Sequence, residues 1–138
     1  MNALLLDSSV WLAWARREGE PHHAAASAIV SRRERHEAEI RLLDLTPYEL
    51  GNVVVRGWRR PAAHADRLVE RVLQLAGTAP LVPTPEERRS AHALAEQHGL
   101  SVYDATYGAV ARARRLTLVS TDGELQDAGL AVAPAALA

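Results

Sequence analysis

The chain has 138 residues, the size of one domain, with 48% hydrophobic and 24% charged residues, a composition that folds around its own core. Cysteine is absent, which excludes disulfide frameworks, thiolate zinc sites, iron–sulfur clusters and thiol nucleophiles, and fits an intracellular, cytoplasmic setting. Sixteen basic against seventeen acidic residues leave a net charge of −1, so no whole-molecule field announces a nucleic-acid or membrane partner, and any basic surface is local.

Leu4-Leu5-Leu6 is a wholly apolar run closed by Asp7-Ser8-Ser9, the pattern of a strand buried on both faces that hands over to a helix. Asp7 splits the apolar N-terminus and no basic residue precedes it, unlike a signal peptide, and no stretch reaches membrane-spanning length. Val10, Trp11, Trp14 and Ala15 share one helical face, with core packing as the first role of the two indoles and a partner anchor as the second. A second helix is expected over 25–37 and a strand over Ile40 to Leu45. Thr46-Pro47-Tyr48-Glu49 then opens a helix running to about Trp58, Thr suited to cap, Pro to the first position and Glu to the third.

Pro61 restarts the chain, and Leu68, Val69, Val72, Leu73 and Leu75 make an amphipathic helix ending near Gly77. Leu81-Val82 is a strand candidate, and Thr84-Pro85-Glu86-Glu87 repeats the capping arrangement ahead of a helix ending near Gly99. Ser101-Val102-Tyr103-Asp104 begins another helix, in which Ala105, Gly108 and Ala109 permit close packing. Leu116 to Val119 is a strand followed by Ser120-Thr121-Asp122, a short helix follows from Gly123, and Leu130-Ala131-Val132 is a candidate edge strand. Strands alternating with helices predict a three-layer α/β/α sandwich with a parallel central sheet of about four or five strands, all of residues 1–138 forming one domain.

In such sheets the chemistry gathers beyond the carboxyl ends of the strands. Asp7, Glu49, Asp104 and Asp122 all fall at predicted helix starts on that edge. Four converging carboxylates repel one another unless a divalent cation joins them, and hard oxygen donors suit Mg²⁺ or Mn²⁺ with water to activate. Each acid also has an ordinary use at a helix N-terminus, and Glu87, in the same Thr-Pro-x-Glu context, is an internal control for that use.

At Leu4-Leu5-Leu6-Asp7-Ser8-Ser9-Val10, Glu49-Leu50-Gly51-Asn52, Tyr103-Asp104-Ala105 and Leu118-Val119-Ser120-Thr121-Asp122 the sequence resembles the PIN domain, and more narrowly the VapC toxins of bacterial toxin–antitoxin pairs. The resemblance implies a magnesium- or manganese-dependent endoribonuclease held inactive by a small antitoxin, and a homodimer. Asp7 and Asp104 match the family's most direct metal ligands, Glu49 and Asp122 its other acidic positions, and Ser120 a hydroxyl position beside the last acid. Asn52, one turn beyond Glu49, is placed to tether it. Gly51 departs from a good helix former within this segment. Attack by an external water leaves a 5′-phosphate and a 3′-hydroxyl.

Arg56-Gly57-Trp58-Arg59-Arg60 groups three guanidinium groups about an indole, a combination suited to RNA phosphates and bases, or equally to a solvated face. Arg112, Arg114 and Arg115 complement a helix C-terminus. No zinc-binding His pair, dinucleotide fingerprint, phosphate-binding Gly-Lys loop or Gly-x-Ser-x-Gly elbow occurs. The alternatives are a PIN-like nuclease of RNA processing or DNA metabolism without a toxin role, and a non-catalytic binding module whose carboxylates only cap helices. A phosphoryl-accepting signalling domain fits poorly, because the chain contains no lysine.

Overall fold

The computed structural model describes residues 2–138. Three parallel strands, β1 (Asn2–Leu6), β2 (Ala38–Arg41) and β3 (Thr117–Val119), form a sheet in the order β2-β1-β3, with Leu4 paired to Ile40 on one side and Leu5 to Leu118 on the other. Single parallel bridges, Leu43 to Leu81 and Val119 to Val132, extend the sheet at each edge. The expected strands at Leu81-Val82 and Leu130-Ala131-Val132 therefore shrink to one bridging residue each. Each apolar run stops almost at once, at Pro83 and at Pro134, where a proline cannot donate to a ladder.

Among the described residues seven α-helices flank the sheet: α1 (Ser8–Ala15), α2 (His23–Glu34), α3 (Thr46–Asn52), α4 (Ala62–Ala76), α5 (Pro85–His98), α6 (Val102–Arg114) and α7 (Gly123–Asp127). Because side chains alternate across a strand, Leu4 and Leu6 of β1 pack into one core with Trp11, Ile29, Leu50 and Val72 from α1 to α4. Leu5 points into the other, with Leu94, Tyr107, Val110 and Leu125 from α5 to α7. This is the expected three-layer sandwich. Leu73 of α4, counted from its spacing as part of the apolar face, is exposed, and Ala65, Val72, Leu75 and Ala76 carry the burial.

Trp11 is fully buried, and Trp14 meets it edge-on with ring centroids 5.7 Å apart. Beyond α3 the helix does not continue in α form to Trp58: Val53–Gly57 is a π-helical turn, closed by the Trp58 amide on the Val53 carbonyl at 2.7 Å. Gly77 and Gly99 end α4 and α5 with positive φ, as expected of left-handed caps. Among the described residues no helix is long and apolar enough to cross a membrane.

Candidate active site

β1 is the central strand, and Asp7 follows it directly as the N-cap of α1. Its carboxylate is almost wholly buried, with 5% exposure, and burial pushes its pKa up to about 6 against the pull of its hydrogen bonds. Ser9 donates to Oδ1, Ser120 donates to Oδ2, and the Val10 amide adds a longer bond to Oδ1 at 3.3 Å. Each serine in turn accepts a backbone amide from the turn after β3: Thr121 donates to Ser9 Oγ at 3.0 Å and Asp122 to Ser120 Oγ at 3.0 Å. These amides fix the direction of both hydroxyl protons, toward Asp7. Ser120 thus makes a turn bond and holds a carboxylate, the two roles its position allows.

Asp104 lies in the first turn of α6, half-buried. Ser101 caps this helix by accepting the Asp104 amide at 3.1 Å. The Asp104 pKa is raised, first by burial, with the charges of Asp122, Glu49 and Glu124 adding to it, so these groups are close enough to feel one another. Asp104 likewise adds to the rise at Asp7. Asp122 caps α7 through the Glu124 amide at 2.9 Å, so it is at once a helix cap and a neighbour of Asp104. Asp127 is an exposed residue near the end of the same short helix, away from this role.

Glu49 separates the capping reading from the site reading. In α5 the expected box forms in full: Glu87 donates its amide to Thr84 at 3.1 Å and accepts the Thr84 amide at 2.8 Å. In α3 the same sequence pattern makes no side-chain cap. Glu49 Oε1 instead accepts from Ser8 Oγ and from the Tyr107 hydroxyl, both at 2.6 Å, and Thr46 turns its hydroxyl to Tyr107 at 2.6 Å. The expectation that Thr46 caps α3 is therefore corrected. Asn52 is exposed, and Ser8 and Tyr107 supply the anchoring of Glu49 that was expected of it.

Ser8, Ser9, Thr46 and Tyr107 are site residues that the sequence reading passed over. Ser8 and Ser9 adjoin Asp7 and read as ordinary caps, while Tyr107 stands one helical turn from Asp104, a spacing that offered a signal.

No basic side chain pairs with these acids: among the described residues the ion pairs are Arg35 with Glu37 and Arg114 with Glu87. Nor, among the described residues, do three His, Cys, Asp or Glu side chains enclose a metal position. An uncompensated, partly buried set of hard oxygens without a closed cage fits an ion such as Mg²⁺, which keeps several waters and takes one or two carboxylates.

The Arg56–Arg60 segment divides. Trp58 and Arg60 line an open cleft of about 700 Å³ with Arg16 and His64, and the Arg16 guanidinium lies 5.4 Å from the centre of the Trp58 ring. Arg56 and Arg59 are exposed and do not line it. The cleft sits at the far end of α1 from Asp7, a helix length of about 12 Å.

A family model described as PIN domain matches residues 4–130. The protein named Exonuclease VapC9 from Pyrobaculum aerophilum is 35% identical over 94 residues, which span 66% of this chain and 68% of that protein. The crystal structure of PAE2754 from the same organism aligns with a TM-score of 0.72 at 28% identity, covering 99% of this chain and 86% of that one. FitAcB from Neisseria gonorrhoeae aligns with a TM-score of 0.69 at 24% identity, covering 95% and 97%, a likeness of fold.

Proposed function

The chain belongs to the PIN-domain family, and from that premise we propose that it is a metal-dependent endoribonuclease, the toxin of a two-component pair, acting in the cytoplasm as one domain over residues 1–138. The observation that carries this reading is the gathering of Asp7, Glu49, Asp104 and Asp122 at one sheet edge with no basic partner among the described residues. Asp7 and Asp104 are the residues to hold Mg²⁺ or Mn²⁺, which when bound neutralises phosphate charge and lowers the pKa of a water. Ser9 and Ser120 keep Asp7 oriented and, as donors, favour its ionised form. Glu49 orients the attacking water and takes its proton. As the water oxygen bonds to phosphorus the bond to the 3′-oxygen breaks, and that oxygen takes a proton from solvent, leaving a 3′-hydroxyl and a 5′-phosphate. Asp122 adds negative charge beside Asp104 and serves a second ion where one binds.

RNA approaches over Trp58 and Arg60 in the cleft and over the exposed Arg56 and Arg59. The antitoxin covers the acidic edge with a basic side chain, for which four unpaired carboxylates are the complement. A homodimer is part of the same proposal.

The curated relative is named an exonuclease, so the test must separate the two modes of attack. A covalently closed single-stranded RNA circle has no end, and only an endonuclease opens it. With Mg²⁺ or Mn²⁺ the protein is expected to convert the circle to a linear strand bearing a 5′-phosphate, and Asp104→Asn to slow this by about 100-fold or more. An intact circle beside a linear RNA that shortens from its end overturns the endonuclease assignment. No change in either RNA with either ion overturns the nuclease reading.

A further inference from the structure

Tyr107 belongs to the core on the α5–α7 side of the sheet, yet its hydroxyl crosses to a residue of the opposite layer, Glu49 of α3. Three polar groups meet that oxygen: Glu49 Oε1 at 2.6 Å, Thr46 Oγ1 at 2.6 Å and Ser8 Oγ at 3.2 Å. A phenol has one proton to give, and an ionised carboxylate is the stronger acceptor, so Tyr107 donates to Glu49 and accepts from Thr46. Ser8 donates to the same Glu49 oxygen at 2.6 Å. Two hydroxyl protons, those of Tyr107 and Ser8, are thus turned toward one carboxylate oxygen, and that of Thr46 is turned to the phenol oxygen that supports it. Among the described residues no hydrogen bond reaches Oε2.

We infer that Tyr107 is a positioning residue for Glu49: together with Ser8 it pins Oε1, so that Oε2 alone is presented to the attacking water. This rests on the hydrolytic reading of the site. A carboxylate free to rotate offers either oxygen over a range of positions, whereas one whose Oε1 is doubly bonded presents a single acceptor at a fixed place, and placement to within a fraction of an ångström governs proton transfer from water. Phenylalanine fills the same volume but gives Glu49 no proton.

Tyr107→Phe alone is ambiguous, because it strands the Thr46 hydroxyl, which is fully buried and whose side-chain hydrogen bond goes to Tyr107. The informative variant is the double substitution Thr46→Val/Tyr107→Phe, which removes both ends of that bond while keeping shape. The two variants and the unmutated protein are compared by thermal midpoint without metal, by the rise in midpoint on adding Mn²⁺, and by kcat and KM for RNA cleavage.

The double variant is expected to recover the midpoint that the single one loses, and to keep the Mn²⁺-induced rise, since Asp7 and Asp104 are untouched. Its kcat stays about 10- to 100-fold below that of the unmutated protein with KM within about twofold. If kcat returns together with the midpoint, Tyr107 serves only the packing and the positioning role is overturned. If the double variant loses the Mn²⁺ response as well, Tyr107 acts on the metal ligands and the assignment to Glu49 is overturned. Absence of cleavage by the unmutated protein removes the hydrolytic reading and this inference with it, an outcome distinct from the other two.

Discussion

A carboxylate buried as deeply as Asp7 ionises at a cost to the fold. Its pKa near 6 in the native state lies above the value of about 3.9 for an unfolded aspartate, so between these limits the native state holds a proton that the unfolded chain has released. Native stability from this group is therefore full below pH 4 and falls as pH rises through 6, by on the order of 3 kcal/mol in all. Asp7→Asn, which keeps an oxygen for the Val10 amide, is expected to be more stable than the unmutated protein at pH 7.5 without metal. At pH 4 the two should match, as read from urea unfolding across that range. If Asp7 is a metal ligand as proposed, Mn²⁺ should reverse the order at pH 7.5, because an ionised carboxylate is a far stronger ligand than an amide.

The elements show how one Thr-Pro-x-Glu pattern acquires two meanings. Thr84-Pro85-Glu86-Glu87 and Thr46-Pro47-Tyr48-Glu49 are alike in sequence, and both glutamates find partners on α6, where Tyr107 and Arg114 stand seven residues apart. Arg114 binds both oxygens of Glu87 and also the Val82 carbonyl, a role that the helix-dipole explanation for this arginine did not foresee. The Arg114 bonds hold the Glu87 pKa down at about 2, so this stabilisation is present above pH 4 and is lost as pH falls toward 2. Arg114→Ala is expected to cost about 1–2 kcal/mol at pH 7 and less at pH 2, where Glu87 is partly protonated and the bond to the Val82 carbonyl remains, measured by denaturant unfolding at each pH. Local pattern revealed where each glutamate sits; which partner it takes depends on residues 58 and 27 positions away. That is why the helix starts, the left-handed caps and the four acids were legible, and the hydroxyls that orient those acids were not.

For the whole molecule, the alternation of apolar runs with helical segments foretold the layers, because that pattern is set by burial on both faces of each strand. Strand length was less legible, since the edge pairings at Leu81 and Val132 depend on how the neighbouring prolines end them. The two cores lie on opposite faces of one thin sheet, so truncations in each should be felt by a single unfolding unit. Ile29→Ala and Leu125→Ala are each expected to cost about 2–5 kcal/mol, to add in the double variant within about 0.5 kcal/mol, and to leave one transition by circular dichroism and fluorescence alike. Two separate transitions would divide the chain into two domains. The sheet order also sets a timetable for synthesis. Asp7 emerges from the ribosome early, but its second serine clamp is Ser120, 113 residues later, and the strand beside β1 that delivers Ser120 is made after four-fifths of the chain. A chain interrupted between Asp104 and that strand carries three of the four acids but lacks the serine that clamps Asp7, so the edge is completed only once β3 and the turn after it have been made.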